Sequence, residues 1–395
     1  SFSPDEKKLA FTNTTSNSVE LWILDLASNT AKKISNAPLN ANLGSPYIWM
    51  KDSEQLLVKQ NPANRNALID DKKSLPKGPT VSNSEGKVSQ NRTYQDLLKN
   101  PQDEANFDTL AQAELVTISL NGNVKKFKDA AIFTSMNFSP DGNYLMVTTI
   151  QKPYSYIVPL NRFPMNTTIF DRSGSLVKVV NESPLNEIMP KGFSSVKTGK
   201  RNINWRDDQP STLVFAEALD GGDQAKNVEF RDEIFVWEAP FAAAPKSFFK
   251  TKQRFDGIDW TNGDYAIISD EWYDTRNTKS YLYNLKNNSS KIIVDRNSQD
   301  VYSDPGSFTE TKNKFGRNVI EITNNKAHLT GAGFTKEGQF PFIDEFDFGT
   351  STKKRIYTSK LKNSKENIVD ILDAKKGEIL VVEQSASQYP NYFVR

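Results

Sequence analysis

The sequence contains no cysteine and a single histidine, His328, among its 395 residues. The first absence excludes disulfides, thiolate metal sites and a cysteine nucleophile. It leaves the cellular compartment open. No apolar run is long enough to cross a bilayer, so membrane insertion is not expected. Charge of one sign is not concentrated anywhere. Lys and Arg number 50 against 48 Asp and Glu, a net charge of +2, and the two signs are interleaved. Phosphate binding needs a basic face, so nucleic acid is not an expected partner. The nucleophile elbow of an α/β-hydrolase, Gly-x-Ser-x-Gly, is also missing. Without it, His328 in Ala327-His328-Leu329-Thr330-Gly331 reads as a structural or surface residue rather than a general base. The start, Ser1-Phe2-Ser3-Pro4-Asp5, is no signal peptide, and Tyr392-Phe393-Val394-Arg395 is strand-like. Both ends read as interior points of a longer chain, with any targeting segment elsewhere.

What is present is a repeat. Hydrophobic residues make up 37%, enough for a large core in one all-β architecture or two smaller units. Phe2-Ser3-Pro4-Asp5 leads into Leu9-Ala10-Phe11, and Trp49-Met50-Lys51-Asp52 into Leu56-Leu57-Val58. Phe138-Ser139-Pro140-Asp141-Gly142 leads into Tyr144-Leu145-Met146-Val147. Trp205-Arg206-Asp207-Asp208 and Trp260-Thr261-Asn262-Gly263 precede similar runs, and weaker copies span Phe308 to Ile322 and Leu372 to Val382. Pro presets a turn, and Asp, Asn and Gly tolerate the left-handed backbone of a tight hairpin. Short apolar runs between turn signals read as strands buried on both faces. A second hairpin often follows, as in Glu20 to Ile34 and Ser280 to Val294. Two hairpins per repeat predict an all-β β-propeller of about seven four-stranded blades. A pair of β-sandwiches is the alternative.

One stretch interrupts the repeat. Residues 61–112 read as a partly helical insertion in the second blade. Leu68 to Ser89 is rich in Lys, Pro, Gly and Ser and reads as a surface loop, while Thr93 to Lys99 and Glu104 to Leu110 carry apolar residues at helix spacing. Such an insertion is either a decorated loop or a docking element for a partner domain.

Carboxylates offer few candidate sites. Asp220-Gly221-Gly222-Asp223 could hold Ca²⁺, but it reads first as a hairpin loop, as does Asp207-Asp208. Asp270-Glu271 and Asp344-Glu345 are adjacent pairs of the kind a glycoside hydrolase would use. Neighbours on a strand point to opposite faces, which argues against a shared site. No metal, no cofactor and no catalytic residue is expected in the chain.

Several longer motifs then occur together and in order. They are Arg92-Thr93-Tyr94-Gln95-Asp96-Leu97-Leu98, Pro153-Tyr154-Ser155-Tyr156-Ile157-Val158-Pro159 with Arg162-Phe163-Pro164, and Asn204-Trp205-Arg206 with Pro210-Ser211-Thr212-Leu213. Asp220 to Asp223, Glu271-Trp272-Tyr273 with Thr275-Arg276, and Asp295-Arg296 with Asp300 to Ser307 complete the set. The set resembles the N-terminal β-propeller of the glutamyl endopeptidase branch of the prolyl oligopeptidase family, known from chloroplasts with bacterial relatives. The resemblance covers most of the chain. It implies seven or eight blades in the parent and a C-terminal α/β-hydrolase domain of the same polypeptide that carries the Ser, Asp and His triad. It implies a serine peptidase acting on peptides after Glu, with the propeller capping its site. Family habit implies export in a bacterium, periplasmic or secreted.

A Glu side chain needs a cationic receptor, and Arg offers a two-pronged donor. Within the motifs, Arg162, Arg201 and Arg276 are the candidates, with Tyr154 and Tyr156 as hydroxyl donors. Salt bridges or contacts between blades are the competing reading for each, and a receptor lying wholly in the hydrolase domain is the alternative to all three. Three functions therefore stand: a substrate-gating propeller of a serine endopeptidase, a stand-alone propeller that binds proteins or peptides, and a carboxylate-dependent propeller hydrolase.

Overall fold

The Ser-Pro-Asp-Gly turn shows why the repeat folds as it does. The Ser139 hydroxyl donates to Asp141 (2.6 Å) and accepts from the Tyr144 N–H (3.0 Å). The Gly142 N–H closes the turn on the Ser139 carbonyl (2.8 Å), and Gly142 has φ 75°. A Cβ there would lie 2.7 Å from the Lys51 Cβ, so glycine is required on both counts. The copy at Ser3 repeats the pattern: Ser3 donates to Asp5 (2.6 Å) and accepts from the Lys8 N–H (3.0 Å).

The computed structural model describes residues 1–70, 94–361 and 363–395. Strands β1 (Lys8–Thr14), β2 (Val19–Asp25) and β3 (Thr30–Lys33) form a three-stranded antiparallel sheet. Then follow β4 (Tyr47–Trp49), β5 (Gln55–Gln60), helix α1 (Pro101–Ala111), β6 (Ala113–Ser119), β7 (Val124–Phe138), β8 (Tyr144–Ile150), β9 (Met165–Asp171) and β10 (Leu176–Ser183). These seven strands make one sheet in the order β10-β9-β8-β7-β6-β5-β4. The long β7 pairs with β6 up to Ala131 and with β8 from Ile132, so the sheet holds two four-stranded ladders end to end.

Four-stranded sheets then follow in sequence. One is β11 (Arg201–Trp205), β12 (Thr212–Ala218), β13 (Asp232–Glu238) and β14 (Lys246–Thr251); the next is β15 (Arg254–Trp260), β16 (Tyr265–Trp272), β17 (Asn277–Asn284) and β18 (Ser290–Asn297). Beyond them lie β19 (Ser307–Phe308), β20 (Glu310–Lys312), β21 (Asn318–Ile320), β22 (Lys326–Gly331), β23 (Phe334–Thr335), β24 (Gly338–Gln339), β25 (Phe342–Asp347) and β26 (Thr352–Thr358). Of these, β19-β22-β25-β26 form a sheet, while β20-β21 and β23-β24 are small separate ladders. The last sheet is β27 (Lys365–Asp373), β28 (Glu378–Ser385) and β29 (Gln388–Val394). Contacts divide the chain into two compact units. The first is Ser1–Trp205, Gln209–Lys226 and Phe235–Phe248; the second is Arg206–Asp208, Asn227–Ile234 and Phe249–Arg395.

This is an all-β propeller fold, but the expected seven four-stranded blades are not found. Among the described residues there are 5, two of them sharing β7. The first and last sheets have three strands, which a count of hairpins cannot distinguish from four. Phe308 to Ile322, expected as one hairpin, is divided between β19 and the separate β20-β21 ladder. In the stretch between β5 and β6, residues 71–93 lie outside the described ones. Helix α1 starts later than the expected segment at Thr93 to Lys99. Asp96 has φ 56°, which breaks a helix, and the residue before a proline is pushed to extended backbone, as Asn100 is at φ −160°. Asn100 instead caps α1 through the Gln102 and Asp103 N–H groups, with Pro101 in the first turn.

Apolar strands are buried on both faces, as their continuous runs require. In the first unit Leu56, Val58, Val116 and Ile118 pack with Ala10, Leu21 and Ile23. The opposite face presents Leu57 and Leu115 to Phe133, Leu145 and Val147. In the second unit Ile267 and Leu282 pack with Leu329, Phe346 and Phe348, and Ile343 packs with Ile379 and Val381. Lys59, at the end of this run in β5, is 3% exposed, and its ammonium donates to the Leu43 carbonyl. Burial lowers it from 10.5 to about 8.

Two outcomes are expected. Asp141→Ala removes the acceptor that organises its turn and should cost about 2–4 kcal/mol in denaturant unfolding. For Lys59, the unfolded chain holds a proton that the folded chain has released between pH 8 and 10.5. Stability should therefore rise with pH across that window. Lys59→Met should abolish that rise, and an unchanged slope would assign it to another group.

Candidate functional site

Three of the expected site residues gather where the β8–β9 connection meets α1, in the first unit. Glu104 and Asp108 lie one turn apart on the helix and face that connection. The Tyr154 hydroxyl donates to Asp108, and the Tyr156 hydroxyl donates to Glu104 at 3.0 Å. Lys152 Nζ bridges the same two carboxylates, at 2.7 Å from Asp108 and 3.5 Å from Glu104. Burial, then the hydrogen bond to Asp108, pushes the Tyr154 phenol well above its ordinary value. The Tyr154 ring stacks on Phe163 at 5.3 Å and meets Phe107 edge-on at 5.1 Å. The two tyrosines thus hold α1 in place, and their hydroxyls are already engaged.

Asparagines secure the other end of α1. Asn40 donates to the Leu110 and Gln112 carbonyls (2.9 and 2.7 Å), and Asn42 donates to Leu110 (2.6 Å). These bonds satisfy carbonyls that the helix end leaves over. Arg162 places its guanidinium 5.3 Å from the Tyr94 ring centre. Its carbonyl accepts from the Asn186 N–H (2.9 Å), and Ser155 donates to Glu187 (2.6 Å), tying the 155–162 and 186–187 segments together.

The other two arginines lie apart from this cluster. Arg201 is buried at the start of β11, and its charge adds to burial in lowering Lys197. Two cations thus share one neighbourhood beside the 220–226 loop, where the Val196 N–H donates to the Gly222 carbonyl (3.0 Å). Arg276 belongs to the second unit. It occupies the β16–β17 hairpin at φ 56°, with its guanidinium 3.5 Å from the Tyr273 ring centre. Lys152, Lys197, Glu104 and Asp108 were not singled out from sequence. The i, i+4 spacing of Glu104 and Asp108 on a capped helix was an available signal, and so was Lys152 beside the Pro153-Tyr154 motif.

The remaining candidates resolve into structural contacts. Asp220 and Asp223 accept from Gly222 and Ala225 N–H groups (2.9 and 3.0 Å) within their loop. Asp208 makes a two-pronged pair with Arg206 (3.0 and 2.7 Å), whose guanidinium lies 3.9 Å from the Trp260 ring centre. Asp344 pairs with Arg355 whereas Glu345 pairs with Lys326 at 2.6 Å, on opposite faces of β25. Asp270 is fully buried and Glu271 exposed. His328 lies in β22 opposite Glu345, and its carbonyl accepts from the Thr309 N–H (2.9 Å).

The sheets thus define an all-β propeller protein. No family model matches its sequence. Two curated plant proteins do, each named "Probable glutamyl endopeptidase, chloroplastic". The protein of Oryza sativa subsp. japonica is 36% identical over 421 residues, covering 100% of this chain and 45% of its own length. That of Arabidopsis thaliana is 37% identical over 402 residues, covering 97% of this chain and 42% of its own length. A solved prolyl endopeptidase structure aligns over 98% of this chain and 46% of its own, at 12% identity and a TM-score of 0.47. The β-propeller domain of the Trilobed protease from Pyrococcus furiosus aligns over 98% of this chain and 91% of its own, at 13% identity and a TM-score of 0.43. These two likenesses are too loose to bear on chemistry. The curated relatives are decisive: the chain is a homologue of the glutamyl endopeptidases, matched along its whole length to less than half of theirs.

Tyr154→Phe should cost about 1–2 kcal/mol, because it removes one of two donors to the Asp108 carboxylate and leaves Lys152 as the other. Amide exchange in α1 should quicken with it, measured by hydrogen exchange. Unchanged protection of α1 would show that the helix is held by other contacts.

Proposed function

We propose that the chain is the substrate-gating propeller of a serine endopeptidase of prolyl oligopeptidase type. On this reading residues 1–395 are the propeller, and an α/β-hydrolase domain of the same polypeptide supplies nucleophile, base and oxyanion hole. The propeller admits peptides to that centre and excludes folded proteins. The observation that carries the reading is homology to the glutamyl endopeptidases over the whole chain but under half of their length.

Cleavage after Glu follows on the same reading. Arg162 is the first candidate receptor, because Tyr94 and the Asn186 bond hold it in an ordered segment. Arg201 with Lys197 is the second. Tyr154 and Tyr156 act as positioning residues through α1 rather than as substrate donors. Arg276 is a separate candidate on its own hairpin.

In the full-length enzyme, Arg162→Ala should lower kcat/KM for peptides cleaved after Glu about 10–100-fold more than for peptides cleaved after a neutral residue, the worth of a charged hydrogen bond. An equal loss for both removes Arg162 from the receptor. Residues 1–395 alone should not react with an active-site serine probe. Labelling that disappears on replacement of one serine would overturn the division of labour.

A further inference from the structure

We propose that Asp270 is held in the folded protein as a neutral carboxylic acid, its proton placed on Oδ1 by a chain of hydrogen bonds that starts at Asp295. The chain has a defined polarity. The Asn277 amide donates through Nδ2 to Asp295 Oδ1 (2.8 Å) and to the Arg296 carbonyl (3.2 Å). Both partners are pure acceptors, so the orientation of that amide is settled. Its oxygen therefore faces Gln253 and accepts from Gln253 Nε2. Gln253 must then turn Oε1 the other way. That oxygen is buried and meets no donor among the described residues.

Gln253 is bonded in turn to Asp270. Its N–H donates to Asp270 Oδ2 (3.1 Å), and the Tyr281 hydroxyl donates to the same oxygen (3.0 Å). Asp270 Oδ1 is buried and makes no hydrogen bond among the described residues. Two residues already joined by a hydrogen bond thus each carry an orphaned acceptor, and burying either is costly. One proton on Asp270 Oδ1 turns an acceptor into a donor; on this proposal it is given to Gln253 Oε1.

Among the described residues, the charged groups near Asp270 are engaged with other partners. Arg254 pairs with Asp232 (3.1 Å), Lys279 with Asp295, and Arg231 stacks on Trp272 at 4.6 Å. Glu271, the next residue, points to solvent. Burial is the main influence on Asp270 and raises it; the Gln253 N–H, the Tyr281 hydroxyl, the Lys279 charge and the Lys252 backbone oppose that and do not prevail. The folded chain therefore keeps a proton that the unfolded chain releases near 3.8. The stabilisation is complete below that value and is lost as pH rises through the folded one. The result is a proton lock that runs from Asp295 in β18 through Asn277 in β17, next in sequence to Arg276, and Gln253, just before β15, to Asp270 in β16.

The test uses infrared spectroscopy and thermal unfolding of the protein. At neutral pH the native protein should show the carbonyl band of a neutral carboxylic acid. Asp270→Asn should lose that band, keep or raise Tm at neutral pH, and flatten the decline in stability as pH rises from 3.8 toward neutrality. Its amide supplies the donor permanently. Asp270→Ala should lower Tm throughout. Absence of the band from the native protein at neutral pH overturns the proposal whatever the variants do. So does an Asp270→Asn protein as unstable as Asp270→Ala.

Discussion

The structure depends on turns of one repeat being fastened to turns of another. The Asp141 carboxylate organises its own turn and also accepts from the Ser211 hydroxyl (2.7 Å), while the Asp141 N–H donates to the Pro210 carbonyl (3.1 Å). Burial opposes ionisation of Asp141, but hydrogen bonds from Ser139, Asn143 and Ser211 outweigh it and hold the carboxyl below its ordinary value. The same fastening recurs where the Asp5 N–H donates to Ser53 (3.1 Å). In the second unit Asn262 does the equivalent, accepting from the Ile322 N–H (2.9 Å) and donating through its backbone to Ile320 (3.1 Å). A four-stranded sheet exposes two apolar faces and is not stable alone. Turns that serve as both hairpin and clasp bring the next sheet to where those faces are covered.

Such a scaffold leaves its longer connections free for other work. In the first unit these connections carry α1, the Tyr154 and Tyr156 contacts, and Arg162. Rigid strands hold mobile chemistry best when loops are themselves pinned, and here each is: α1 by Asn40, Asn42 and the tyrosines, the 155–162 segment by Glu187 and Asn186. The second unit contains a different kind of polar structure, a buried network from Asp295 through Asn277 and Gln253 to Asp270. Networks of this kind specify one arrangement of strands because each member depends on the orientation of the next.

Much of the fold was legible because its determinants are local. Ser139, Asp141 and Gly142 form their turn within six consecutive residues, Ser139 to Tyr144, so the motif announces the hairpin wherever it occurs. The run Leu56-Leu57-Val58 announces a strand covered on both faces. Blade number was less legible. Whether β3 and β29 have a further neighbour, or β7 continues through two ladders, is a matter of pairing between distant residues rather than of any local pattern. The site was legible as a set of residue types. That Tyr154 reaches Asp108, 46 residues away, and Tyr156 reaches Glu104, 52 away, was not.

The sequence by itself therefore determined strands, turns, an all-β repeat and kinship with the glutamyl endopeptidases, since all of these are written in neighbouring residues. Only the tertiary structure decided which hydroxyl meets which carboxylate, that Lys59 and Asp270 lie away from water, and that two ladders share one strand. The physical reason is common to all three. Desolvation and long-range hydrogen bonding act between groups that are brought together by folding, and their strength depends on a burial that no short stretch of sequence encodes.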